Sequence, residues 1–214
     1  MQVSTGANER QQLSAGMLAL GMHPEKQALD SLLLFAEQLR KWNRSYNLVS
    51  SGDLAHLVPR HLLDSLSIHA HVPAGTLLDA GTGAGFPGLP LAICSPAIDC
   101  TLLDSAGKKI RFLRHIKRTL GLQNIYPEES RVQQFSNGNN FDTIVSRAFS
   151  SLREFSESVR HLAGTETQLL AMKGKHPEDE LEDLPGWLNL SSVVQLEVPG
   201  LHAERHLVIM SVSA

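Results

Sequence analysis

The sequence predicts an α/β protein with a mostly parallel central sheet, helices on both faces and an N-terminal helical extension. Three observations predict it. No strand pattern occurs before Thr76, and the first 70 or so residues place apolar side chains at three- and four-residue spacing. From Thr76 onward, short apolar runs alternate with helical segments, as strand–helix–strand units do. The first of those runs passes into "LLDAGTGAGFPGLP" (Leu77–Pro90), a glycine-rich turn of the kind that lets backbone approach a ligand closely.

The elements follow in order. Leu29, Leu32, Leu33, Ala36 and Leu39 make one helical face, with Glu37, Gln38, Arg40 and Lys41 opposite. A second helical segment runs from Asp53 to Ala70, and Pro59 should break or kink it. Thr76–Ala80 reads as a strand, followed by a helix that Pro87 or Pro90 would open at its first position. Asp99–Leu103 is a second strand, ending in Asp104. Gly107–Leu120 is a helix with Ile110, Leu113, Ile116 and Leu120 on its apolar stripe. Phe141–Val145, Gln168–Met172, Val193–Val198 and His206–Val212 complete the strands, and Ser136–Asn140 is a turn. The expected division is a helical extension over 1–75 and an α/β domain over 76–214.

Composition narrows the class. Among 214 residues, 42% are apolar and 19% charged, as in an ordinary globular protein. The formal net charge is −3, so any contact with nucleic acid must come from a local patch. Cys94 and Cys100 form no CxxC and have no histidine pair nearby; they read as buried packing, with no metal site. The polar N-terminus and the absence of a long apolar run predict a cytoplasmic protein with no membrane contact.

Two frames fit the glycine turn. From Gly83, "GAGFPG" matches the dinucleotide pattern GxGxxG, with Asp104 about 20 residues on as a ribose-binding acid. From Asp79, the pattern is Asp-x-Gly-x-Gly-x-Gly. An acid at that strand end repels pyrophosphate and suits a ligand with a positive group, such as the ammonium of S-adenosylmethionine. Pro87 would also remove a backbone donor from a phosphate-binding turn. The second frame fits better and assigns Asp79, Gly81 and Gly83 to the donor turn and Asp104 to the ribose. Asp79 and Asp104 are also compatible with plain turn or helix-capping roles.

Further segments occur in a fixed order: "WNRSYNLVS" (Trp42–Ser50), "RHLLDSL" (Arg60–Leu66), "TLLDSAGKKIRFLRH" (Thr101–His115), "SRAFSSL" (Ser146–Leu152), "MKGK" (Met172–Lys175) and "ERHLVIM" (Glu204–Met210). Together with the glycine turn they resemble the bacterial small-subunit rRNA guanine-N7 methyltransferases, the RsmG or GidB family, from about Leu29 to the end. The resemblance implies a class I, Rossmann-like methyltransferase fold with S-adenosylmethionine as donor. It implies guanine 527, in the 530 loop of 16S rRNA within the small ribosomal subunit, as target. It places Gly81 and Phe86 in the donor site, Val132 and Gln133 at the adenine after the third strand, and Arg147 at the end of the fourth strand. The family often has Glu where this chain has Gln133; an amide can still bond an adenine amino group.

The chemistry agrees. Guanine N7 has an in-plane lone pair and no proton to lose, so positioning and water exclusion can carry the reaction without a general base. Ser146-Arg147-Ala148-Phe149 differs from the Asn/Asp-Pro-Pro-aromatic tetrapeptide of amine methylation, and neither cysteine sits where carbon-5 methylation would need one. Arg147 is the candidate for holding the donor carboxylate or guanine O6. Arg60, Arg131, Lys173 and Arg205 are the candidate RNA contacts. The basic run Lys108, Lys109, Arg111, Arg114, Lys117 and Arg118 reads for the most part as a solvated helix face. An NAD(P)-dependent oxidoreductase and a non-catalytic RNA-binding module are the competing readings, and a monomer is expected.

Overall fold

The computed structural model of the chain describes residues 3–213. One 7-stranded sheet contains β1 (Gly75–Ala80), β2 (Ile98–Asp104), β3 (Ile125–Glu129), β4 (Phe141–Ser146), β5 (Ala163–Lys173), β6 (Leu188–Gln195) and β7 (His206–Val212), in spatial order β3-β2-β1-β4-β5-β7-β6. Strands β1 to β5 pair in parallel, while β7 is antiparallel to both β5 and β6. Helices α1 (Val3–Ala19), α2 (Lys26–Tyr46), α3 (Ser51–Leu54) and α4 (Asp64–Leu66) precede the sheet. Helices α5 (Gly88–Cys94), α6 (Gly107–Leu120), α7 (Leu152–Val159) and α8 (Glu178–Glu182) connect its strands.

Alternation along the strands divides the core between two faces. Leu77, Leu102, Val145, Leu170 and Ile209 face α2, α5 and α6, in an apolar cluster that also takes in Leu13 and Met17 of α1. Leu78, Leu103, Ile144, Leu169 and Val208 face the other way, against Phe155 and Val159 of α7. Side chains of α1 and α2 therefore share one core with the sheet. Phe35 of α2 packs against Phe86 and Phe112, with ring centroids 5.3 and 6.1 Å away.

Several elements differ from expectation. Strand β3 escaped the pattern because Pro127 interrupts it and Tyr126, Glu128 and Glu129 are exposed; it is an edge strand, where proline is tolerated. The helix after the glycine turn begins at Gly88, with Pro87 as its N-cap residue instead of its first helical position. Strand β6 lies earlier than Val193–Val198, since its outer face is exposed and carries no apolar alternation. The Asp53–Ala70 segment is not one kinked helix. Pro59 lies at the start of a π-helical turn over Val58–Leu63, which leads into α4.

Candidate active site

The strand order reverses beside β1, which lies between β2 and β4. In open α/β sheets, ligands bind beyond the carboxyl ends of the strands at such a switch point. Asp79 and Ala80 end β1, Asp104 ends β2, and Ser146 ends β4 with Arg147 directly after it. The Ser146 hydroxyl donates to the Ala80 carbonyl at 2.7 Å, tying the two strand ends together.

The glycine turn is held from beneath by Asp79, whose side chain is fully buried. Its Oδ2 accepts from the Thr82 hydroxyl and from the Gly88 N–H, both at 2.7 Å, while Oδ1 is buried without a partner. Burial pushes the Asp79 carboxyl up to about 6, against the pull of those two hydrogen bonds. Gly81 and Gly83 have φ of 77° and 63°, which side-chain-bearing residues rarely adopt, and a Cβ on Gly81 would come within 2.8 Å of Ala148.

Asp104 braces the turn from the next strand. Its Oδ2 accepts from the Gly83 N–H and from Lys109 Nζ, each at 3.0 Å, and its Oδ1 from the Ala106 N–H at 2.9 Å. The Ser130 N–H donates to the Asp104 carbonyl at 3.3 Å and sets the segment after β3 beside it. There Val132 is buried, and Gln133 is exposed with its amide donating to the Ser158 hydroxyl at 3.1 Å.

Two cavities meet at Arg147. One, of about 200 Å³, is lined by Leu48, Val49, Gly81 to Ala84, Phe86, Arg147 and Ala148. The other, of about 480 Å³, is lined by Asp53, Arg60, His61, Asp64, Arg147, Lys173 and Arg205 among others. Arg147 is held in place by groups that the extension supplies. Its Nη1 donates to Asp64 Oδ2 at 2.9 Å, its Nη2 lies 3.0 Å from His61 Nδ1, and its guanidinium sits 5.4 Å from the centroid of the Phe86 ring. His61 in turn stacks on Phe86 at 4.7 Å. Burial, reinforced by the positive charge of Arg147, lowers the His61 imidazole to about 4, so the ring is neutral near pH 7.

The sequence-predicted residues fall into three groups. Gly81, Gly83, Phe86 and Arg147 line the smaller cavity, with Asp79 beneath the turn and Asp104 beside it; Val132 and Gln133 lie outside both cavity linings. Arg60, Lys173 and Arg205 line the larger cavity, each already in an ion pair: with Asp53 at 3.1 Å, Glu180 at 2.8 Å and Asp64 at 2.8 Å. Arg131 is exposed and apart from them.

Leu48 and Val49 were missed as cavity wall. They are fixed by buried Asn43, whose Oδ1 accepts from the N–H of Leu48 at 2.6 Å and of Val49 at 2.9 Å, while its Nδ2 donates to the Val49 carbonyl at 3.0 Å. The Trp42–Ser50 segment was the signal. Cys100 is buried and Cys94 half-buried with its thiol pushed up to about 12 by burial, so neither is a ready nucleophile. Among the described residues, no helix is long and apolar enough to cross a membrane, and no group of three or more His, Cys, Asp or Glu gathers to hold a metal.

Comparison with known proteins narrows what this geometry serves. Solved structures of S-adenosylmethionine-dependent methyltransferases share the fold. One from Aquifex aeolicus matches with TM-score 0.56 and 21% identity over 81% of this chain and 98% of its own, and a TehB-like one from Corynebacterium glutamicum with 0.58 and 17% over 83% and 99%. Proteins named ribosomal RNA small subunit methyltransferase G are much nearer in sequence. That of Pseudomonas paraeruginosa is 48% identical over 93% of this chain and 94% of its own length, and that of Vibrio campbellii 44% over 87% and 89%. The profile of the GidB family, described as rRNA small subunit methyltransferase G, matches residues 28–208. With that match running from α2 through the glycine turn and the strands on both sides of Arg147, the chain belongs to the GidB family.

Proposed function

We propose that this protein methylates N7 of guanine 527, in the 530 loop of 16S rRNA, with S-adenosylmethionine as donor, and that it acts as a monomer. The observation that carries the reading is the shared wall at Arg147: a glycine-lined cavity on one side, a cavity with several cationic side chains on the other, both at the switch point of the sheet. A reaction between two substrates needs such adjoining places.

The residues present suit the donor. The turn at Gly81 and Gly83 leaves room that a Cβ at Gly81 would take, and the carboxylate of Asp104 stands at the next strand end, where ribose hydroxyls are held in this class of fold. When bound, S-adenosylmethionine supplies an electrophilic methyl group on a sulfonium. Asp79 acts by fixing the turn, Phe86 forms the wall, and Val132 and Gln133 mark the adenine side. Arg147 lines both cavities while its guanidinium bonds Asp64, His61 and, at 3.4 Å, the Arg60 carbonyl; with five N–H donors it retains capacity to hold a carboxylate or guanine O6. N7 carries no proton, so no residue need serve as base, and the residues act by orienting the reactants and excluding water.

The test is incubation with radiolabelled S-adenosylmethionine and small ribosomal subunits that lack the modification, followed by borohydride–aniline cleavage at 7-methylguanosine. A single cut in the 530 loop is the expected result. Label at another position would retain methyl transfer and reject the site, and no label would reject the function.

A further inference from the structure

The cations of the larger cavity are mostly engaged, whereas those of a neighbouring face are not. Arg60, Arg147, Lys173 and Arg205 each lie within 3.1 Å of a carboxylate oxygen. On α6, Lys108, Arg111 and Arg114 recur every third residue on the exposed side, opposite Ile110, Leu113 and Ile116. Lys41 and Arg44 stand exposed on the last turns of α2, which packs against α6. Among the described residues, none of these five has a carboxylate within 4.0 Å.

An aromatic ring stands among them. Tyr46, the last residue of α2, is 38% exposed. Trp42 backs it at 5.2 Å, the Arg111 guanidinium lies 5.9 Å from its centroid, and Lys108 Nζ donates to its carbonyl at 2.8 Å. The face also adjoins the donor turn. Two and three residues beyond Tyr46, Leu48 and Val49 line the glycine cavity, and Lys109, next to Lys108, pairs with Asp104. In a chain of net charge −3, an uncompensated basic stripe around a braced, exposed aromatic ring matches what single-stranded nucleic acid requires: cations for phosphates and a platform for a base.

We propose that Lys41, Arg44, Lys108, Arg111 and Arg114 hold phosphates of single-stranded rRNA next to the target guanine, and that Tyr46 stacks on one of its bases. This rests on the methyltransferase reading above. The cavity cations then orient the target nucleotide, and the outer face supplies the salt-sensitive grip.

Two variants test it: the triple K108A/R111A/R114A and Tyr46→Ala, with Tyr46→Phe as control. Methyl transfer to unmodified small subunits is measured across a range of salt, with binding of a fluorescein-labelled single-stranded RNA and of S-adenosylhomocysteine alongside. The triple variant should raise KM for subunits at least tenfold and weaken the labelled RNA as much. It should also flatten the log–log salt dependence by about 2, as loss of three phosphate contacts requires. Its kcat and its S-adenosylhomocysteine affinity should stay within twofold of wild type. Tyr46→Ala should raise KM about tenfold, with Tyr46→Phe near wild type. An active wild type whose triple variant keeps KM and salt slope would overturn the surface and leave the methyltransferase reading standing. A wild type that transfers no methyl would overturn the reading beneath it. Weakening toward subunits without weakening toward the labelled RNA would assign the face to a ribosomal protein and overturn the RNA assignment.

Discussion

Asp64 shows how much one side chain organises. It is 1% exposed and accepts from Arg147 through one carboxylate oxygen and from Arg205 through the other, so an extension residue fixes guanidinium groups that follow β4 and precede β7. Arg147→Ala removes the group common to both cavities, and donor affinity or turnover should fall at least tenfold in calorimetry and single-turnover assays; wild-type values would exclude the role. Two neighbouring groups make opposite demands on pH. His61 is depressed to about 4, so its stability contribution is present above the unfolded value of 6.5 and is lost as pH falls through 4, on the order of 3 kcal/mol in all. Asp79 is raised to about 6, so its contribution is present below the unfolded value of 3.8 and is lost as pH rises through 6. The two oppose each other between about pH 4 and 6. In urea titrations across that window, His61→Gln should lose stability as pH rises and Asp79→Asn should gain it; parallel profiles for wild type and both variants would refute the assignment.

At the scale of elements, the junction after α2 shapes the glycine-lined cavity from outside the sheet. Asn47 ends the helix in the left-handed region (φ 47°), and Asn43 then fixes the next two residues through three hydrogen bonds. Asn43→Ala leaves buried backbone groups unpaired and should cost about 2 kcal/mol in chemical denaturation, with weaker S-adenosylhomocysteine binding that does not return when the protein is cooled. The sequence made the strongly periodic elements plain. Helix α6 falls on its expected Gly107–Leu120, because one face is apolar and the other charged. Strands β1, β2, β4 and β7 were readable as apolar runs ended by glycine, an acid or a serine. Elements that share their burial with others were not: β3 with Pro127 at an edge, β6 with an exposed outer face, and α7, whose short amphipathic face carries only Leu152, Phe155 and Val159 among apolar residues.

At the scale of the molecule, the glycine turn and its flanking acids were legible because local backbone conformation demands those residues. The convergence of Asp64, Arg147 and Arg205 was not, since it joins side chains up to 141 positions apart and leaves no local pattern. The same nonlocality joins α1 and α2 side chains to the core of the sheet. Residues 76–214 expressed alone would leave Leu77, Leu102 and Ile209 without the α1 and α2 side chains of their cluster. The fragment should show no cooperative thermal transition by circular dichroism, and a sharp one would contradict the shared core. Because Arg147 lines both cavities, the proposed function implies that one molecule joining an adenosyl portion to a purine portion reaches both, gaining affinity by effective concentration. Its purine half would meet Arg60, His61 and Asp64, residues of the appended helices and not of the sheet. Selectivity over other methyltransferases of the same fold would then come from the part of the chain that the fold itself does not require.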